Sequence, residues 1–570
     1  MMKNLIFVWL AIACWAACSQ PGPTEAKTKP TLILYNGVFF TADSLHPSAT
    51  AVAIAADHIL AAGNDTEIKS MADAKTEMVD LKGAFVMPGF IEGHGHFHAL
   101  GTSLINLNLL HSKSWQEITA QVAEKTKTTP AGDWIEGRGW HQEKWDVSPG
   151  PTVNGYPYNE LLNSAAPNHP VVLYHASGHG LIANAKAMQL AGVSRETPDP
   201  VGGRIVRDAR GNPIGVFEEN AMQLIDNAIS AWQNKASEAD KQAYFEKAVA
   251  LAAQECLSHG ITSFQDAGSS FWQLAQYRRL AEEGKLPLRL WAMIGQPPAQ
   301  DFSKMADYPQ IGLGNGHFTC RAVKCYLDGA LGSYGAWLLA PYADKPGFTG
   351  QNTTPVDTVK AVAEACRKYG LQCCVHAIGD RANREVLNIF EQTMGNTKDL
   401  RWRIEHAQHV DPADQRRFAE LGVIASMQAI HCTSDAPFVV KRLGTERART
   451  GAYAWRSLLD QGAHLANGTD APVEEVDPLP CIYAAATRRR ADTRLEFFTE
   501  QKMTRQEALL SYTIWNAYAA FEEQEKGSIE PGKLADFVVL SNNLLTCPPE
   551  EILKTQVLRT FVGGKEQFKR

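Results

Sequence analysis

The sequence predicts an α/β fold: a TIM-like (β/α)8 barrel with an inserted lid subdomain and a small β-sandwich built from both termini. Three features predict it. Eight short apolar stretches alternate with helical ones, the pattern of a parallel barrel. Residues 92–260 separate the first of these stretches from the second, too long an interval for one crossover helix. Short strands with turns recur at both ends of the chain, and one small sandwich would pair them.

Taken in order, the chain opens on Lys3 and an apolar run from Leu5 to Ala17, too short to span a bilayer stably. This reads as a secretory signal over 1–18. Trp15-Ala-Ala-Cys18 resembles a bacterial lipoprotein cleavage box, on which reading Cys18 carries the lipid, membrane contact is limited to that anchor, and the protein is exported to the periplasm or cell surface. Ala11-Ile-Ala-Cys14 is a competing site, and an ordinary cleaved signal is the alternative. Residues 19–30 read as a flexible tether. The N-terminal part of the sandwich is placed at 31–87, with strands at 31–35, 51–55 and 58–63.

The barrel is placed at 88–520, its first strand at Phe85–Ile91. The other seven are Ile261–Gln265, Leu288–Ile294, Ala322–Leu327, Gln372–His376, Trp402–His406, Val423–Met427 and His464–Ala466. The strand-like Val171–Tyr174 then falls in the inserted subdomain, roughly 100–235, a natural lid over a barrel mouth. Residues 521–570 return to strands at 535–540 and 557–562 and complete the sandwich.

Composition is that of a globular protein, 45% hydrophobic and 21% charged over 570 residues, long enough to bury a large core. The formal net charge of −7 and the absence of a basic stripe exclude nucleic acid as a partner. Arg488-Arg-Arg490 reads as a solvated helix face. The cysteines are scattered, a poor disulfide framework, and Cys373 and Cys374 read as buried small hydrophobes.

Each barrel strand ends near a ligand-type residue, where barrel active sites lie. Gly93-His94-Gly95-His96 places two imidazoles two apart, on the same side of a strand. Lys324 interrupts the apolar Val323-Lys-Cys-Tyr-Leu327, a costly position unless the amine is chemically used. His376 and His406 end the fifth and sixth strands, and Asp470 follows the eighth. Imidazole and carboxylate donors suit zinc and similar divalent ions. By alternation Glu405 points away from the barrel axis, toward the helices.

These stretches resemble the amidohydrolase superfamily, and more closely its YtcJ-like (amidohydrolase 3) branch, which includes N-substituted formamide deformylases. Val86–His96, Gly137–Trp140, Ser177–His179, Val323–Gly329, Val375–Ala382, Arg403–His406, Ser426–His431, Gly468–Pro472 and Ile529–Asp536 carry the resemblance across nearly the whole mature chain. It implies two divalent metals, zinc by preference. His94, His96 and Asp470 would hold one and His376 and His406 the other, with Lys324 bridging them as a CO2-derived carbamate. A shared hydroxide would be the nucleophile, and Asp470 would carry its proton to the leaving nitrogen.

The chain departs from that pattern at Ser177 and Glu92, where relatives commonly have Asp, and at Ala429, where they have Pro. His179 reads either as a lid residue reaching the site or as a structural histidine, His431 as a substrate contact or oxyanion donor, and Trp140 as pocket lining or subdomain core. The leading function is hydrolysis of an N-acyl or N-formyl amide, a small-molecule substrate. The alternatives are cyclic-amide opening or ring deamination by the same superfamily, and a lipoprotein that binds small molecules without turnover. His376-Ala-Ile-Gly379 lacks the Glu that mononuclear deaminases place three residues after a ligand His. Homo-oligomerisation is compatible with the sequence.

Overall fold

The computed structural model describes residues 28–397 and 399–570; the leader and Cys18 lie outside the described residues. Among the described residues, no helix is long and apolar enough to cross a membrane, and no cysteine forms a disulfide.

Eight parallel strands make the central sheet: β1 (Phe90–Gly95), β2 (Ile261–Ser269), β3 (Arg289–Gly295), β4 (Phe318–Tyr326), β5 (Gln372–Ala377), β6 (Arg403–His406), β7 (Ile424–Met427) and β8 (Leu465–Asn467). They lie in chain order, each paired with the next. Crossover helices cover the outside. Helix Pro412–Leu421 shows why they begin and end where they do: Asp411 caps the N-terminus, proline fills the first turn, and Gly422 takes the left-handed exit at φ 69°.

The ring closes between β1 and β8 through a side chain. The Asn516 amide nitrogen donates to Ile91 O at 2.6 Å and to Asn467 O at 2.7 Å, while its oxygen accepts Asn467 N–H at 3.0 Å. Gly93 is required at this seam, since a Cβ there would stand 2.4 Å from Asn467 O and 2.6 Å from the Asn516 oxygen.

The stretch expected to be one barrel strand, Phe85–Ile91, is two. Phe85–Pro88 pairs antiparallel with Phe537–Leu540 in a six-stranded sheet, and only Phe90 onward enters the barrel. The break falls at Gly89, where a Cβ would meet the Thr262 side chain at 2.2 Å. That six-stranded sheet joins strands from both chain ends and packs on a four-stranded sheet of residues 32–80 through Leu34, Val52, Phe537 and Phe561. A buried ion pair ties it to the barrel: Arg289 donates to Asp536 from Nε at 2.7 Å and from Nη2 at 3.1 Å.

Between β1 and β2 the chain builds a separate six-stranded sheet whose strands run from Leu107 to Glu219. It has its own core of Trp115, Trp140, Val171, Leu173 and Val216. It stands over the C-terminal ends of the barrel strands, where Lys144 reaches Glu474 at 3.4 Å.

Candidate metal centre

His94, His96, Lys324, His376, His406 and Asp470 converge at the C-terminal mouth of the barrel. Ligand atoms of His94, His406 and Asp470 lie within 4.8 Å of one another. His96 Nε2 is 3.3 Å and His94 Nε2 3.6 Å from Asp470 Oδ1, and Lys324 Nζ is 3.4 Å from His94 Nε2. The His376 and His406 ring centroids are 4.5 Å apart. His406 therefore lies beside His376 and also within reach of His94 and Asp470.

Backbone conformation explains it. His406 has φ 75° and Ala407 φ 43°, so β6 ends in a left-handed turn that swings the imidazole inward. Arg403 and Glu405, two apart, then share the interior face, which overturns the expectation that Glu405 points at the helices. Glu405 is fully buried and accepts the His94 Nδ1–H. Arg403 donates to both Glu405 oxygens at 2.7 and 3.0 Å, to Gln265 at 2.5 Å and to Gly93 O at 2.8 Å. Burial alone would raise the Glu405 carboxyl; the Arg403 guanidinium and His94 outweigh it and hold it far below the usual range. Asp470 is also left-handed, at φ 60°. Glu92 braces its loop by accepting Thr469 N–H at 2.5 Å, and burial pushes the Glu92 carboxyl up to about 8.

Partners fix the ring orientations. Glu405 on Nδ1 leaves His94 Nε2 facing the centre, and Gln428 Oε1, 2.7 Å from His406 Nδ1, does the same for His406. Burial first, then the Lys324 charge, brings the His94 imidazole down to about 4, and burial likewise keeps His376 and His406 neutral. Burial opposes ionisation of Asp470, but the nearby His96 and the neighbouring imidazoles hold its carboxyl well below the usual range.

These residues fit a divalent cation. His376 Nε2 and Asp470 Oδ1 are buried without hydrogen-bond partners, and neutral imidazoles beside an ionised carboxylate form a donor set for which a cation is the missing partner.

A cavity of about 540 Å3 opens above the cluster, between the barrel and the inserted sheet. His179 and His431 both line it. His179 Nδ1 lies 2.9 Å from Glu219 Oε2, and its ring centroid is 5.2 Å from that of His376. Burial lowers the His179 pKa, but the Glu219 charge overrides it and raises the imidazole above its ordinary value. Glu219 itself sits at φ 49°, and Gly329 and Gly335 clear its path: a Cβ on either would be 2.2 or 2.3 Å from its oxygen. His431 Nδ1 accepts from the Gln408 amide at 3.1 Å, which leaves the proton on Nε2.

Trp140 does not line the cavity. It is 1% exposed, donates from its indole to Leu173 O at 2.7 Å and belongs to the core of the inserted sheet; its neighbour His141 faces the cavity instead.

Sequence reasoning missed three contributors. Asp328 accepts the Trp337, Ile378 and Gly379 N–H groups at 2.8–2.9 Å and shapes the loop after β5; burial pushes it up to about 7. Its signal was available in the Tyr-Leu-Asp-Gly329 stretch. Glu219 and Gln428 carry no local pattern that marks them.

The family described as "Amidohydrolase family" matches residues 77–568. Protein LONG AFTER FAR-RED 3 of Arabidopsis thaliana is 32% identical over 94% of this chain and 91% of its own length. An N-substituted formamide deformylase of Arthrobacter pascens is 28% identical over 95% of this chain and 98% of its own. Among solved structures, an uncharacterized metal-dependent hydrolase from Pyrococcus horikoshii superposes with a TM-score of 0.73 at 26% identity, over 91% of this chain and 99% of that one.

Proposed function

This chain belongs to the amidohydrolase family, and from that premise we propose that it hydrolyses the C–N bond of an N-acyl or N-formyl amide at the His94–Asp470 cluster. One observation carries the reading: Asp470 Oδ1 and His376 Nε2 are buried in the cluster and make no hydrogen bond, although imidazole and carboxylate groups stand 3.3–3.6 Å away. His94, His96, Lys324, His376, His406 and Asp470 would hold two divalent ions, zinc by donor chemistry. Bound ions of this kind supply a water acidified toward neutrality and polarise a carbonyl.

The chain's own residues do the rest. Lys324 is 1% exposed among imidazoles, an unfavourable place for an ammonium group. Addition of CO2 to its amine nitrogen, with loss of that nitrogen's proton to solvent, would convert the side chain to an anionic oxygen donor able to hold the ions. Asp470 takes the proton that water releases as it attacks the carbonyl carbon and returns it to the nitrogen as the C–N bond breaks, so that a carboxylic acid and an amine leave. His431 lines the cavity and its buried Nε2 has no hydrogen-bond partner, so its N–H is the donor we assign to the developing oxyanion. His179, held by Glu219, approaches from the inserted sheet and orients the substrate. The formamide deformylase relative supports this bond class.

The test is to screen N-formyl and N-acyl amines with zinc-loaded protein while counting bound metal by elemental analysis. Amine release that tracks metal content is expected. Full activity in metal-free protein would overturn the mechanism.

A further inference from the structure

Arg138 stands on the strand Ile135–Trp140 of the inserted sheet and lines the cavity. It donates to two carbonyls, from Nη2 to Ala176 O at 3.1 Å and from Nε to Pro472 O at 3.4 Å. A guanidinium has five N–H donors, so these contacts leave Nη1 and one Nη2 hydrogen for the cavity. Among the described residues no carboxylate lies within the 4.0 Å of an ion pair. Of the other two cations in the wall, Lys144 is paired with Glu474 at 3.4 Å and Lys324 belongs to the metal cluster. The backbone also crowds the guanidinium into place: Gly178 is left-handed at φ 77°, and a Cβ there would stand 3.2 Å from Nη2.

A permanently charged, partly desolvated fork without an acid partner is a receptor for a planar anion. We infer that Arg138 binds a carboxylate on the substrate, and that the amide cleaved carries this carboxylate a few bonds from its scissile C–N bond. The inference rests on the amide-hydrolysis reading for the bond that breaks. Position sets the spacing. Pro472 is two residues beyond Asp470. Two residues of chain reach at most about 7 Å, and Arg138 and Asp470 line the same cavity, so one small molecule can meet both. Charge sets the valence. Glu219, Asp435 and Glu474 share the wall, and they would repel a phosphate dianion more than a single carboxylate. The cavity volume of about 540 Å3 suits a molecule of that size.

The test compares three amides on zinc-loaded protein: N-benzoylglycine, with the carboxylate on the amine side; N-ethylsuccinamate, with it on the acyl side; and neutral N-ethylbenzamide. In the wild type, kcat/KM for one carboxylated amide should exceed that for the neutral one by about 10- to 100-fold. Arg138→Gln should bring that ratio close to one, chiefly through KM, and Arg138→Lys should restore only part of it, because ammonium lacks the fork. A wild-type ratio near one, or equal losses on all three amides in Arg138→Gln, would show that Arg138 only clamps the inserted sheet to the barrel, and would overturn the inference while leaving amide hydrolysis intact. Calorimetric binding of N-benzoylglycine and N-ethylsuccinamate to metal-free protein separates the remaining cases. Binding lost in Arg138→Gln without turnover of any amide would sustain the anion site and sink the hydrolytic reading; no Arg138-dependent binding or turnover would sink the anion site.

Discussion

Glu405 accepts the Nδ1–H of His94 in the dry interior of the barrel, where neither side chain has any solvent exposure. The contact fixes which nitrogen of His94 faces the cluster, and Arg403 in turn holds Glu405. Glu405→Gln keeps the size but removes the charge, and a primary amide can turn its donor toward His94. Metal affinity should fall about 10- to 100-fold, read by competition with a chromophoric chelator. Unchanged affinity would assign Glu405 a purely structural role.

Lys324→Ala should lose most bound metal and nearly all activity while the barrel stays folded. Acetate or formate should restore part of both by entering the vacated space and supplying oxygens. Lys324→Arg should resist rescue, since guanidinium stays charged and fills the space. Elemental analysis decides: two ions still bound in Lys324→Ala would remove the carbamate from the mechanism.

Asn516→Leu should destabilise the protein by about 3 kcal/mol in urea unfolding, because it strands Ile91 O and both Asn467 backbone groups in the interior. A loss of less than about 1 kcal/mol would mean that the seam is held mainly by packing.

Asp536 gives a pH-dependent term. Burial disfavours its ionised form, but Arg289 outweighs burial and holds the carboxyl below its ordinary value. Its unfolded value is near ~3.9, so the pair stabilises the fold above that pH and the contribution disappears as pH falls through the lower folded value. Asp536→Asn should therefore cost about 3 kcal/mol at neutral pH. The gap to wild type in urea midpoint should narrow below about pH 4. A gap independent of pH would show that shape, not charge, makes the contact.

Much of the barrel was legible because its strands are short apolar runs closed by ligand-type residues, and β2 to β8 begin within a few residues of where the sequence put them. The error at Phe85–Ile91 has a physical source: an apolar run does not reveal that it changes sheets, and the clash that forces the break at Gly89 involves Thr262, far away in sequence. Glu405 was misdirected because strand alternation assumes extended backbone up to the last residue, and His406 departs from it. Trp140 has a pocket-like neighbourhood in sequence, yet only the pairing of Ile135–Trp140 with Val171–His175 decides which side of the sheet its indole takes. Arg138 and Glu219 act across the boundary between inserted sheet and barrel, and no local window contains both sides of that boundary.

The left-handed residues His406, Ala407 and Asp470 bear on attempts to transplant this centre. An idealised barrel avoids positive φ at non-glycine positions because each costs stability. Copying only the ligand identities onto such a scaffold would turn the sixth-strand imidazole toward the helices and leave the aspartate out of reach of the ring. The portable unit is therefore the ligand set together with its two irregular loops, Glu405–Ala407 and Gly468–Asp470, and a designer who regularised either loop for stability would remove the site while keeping every residue that names it.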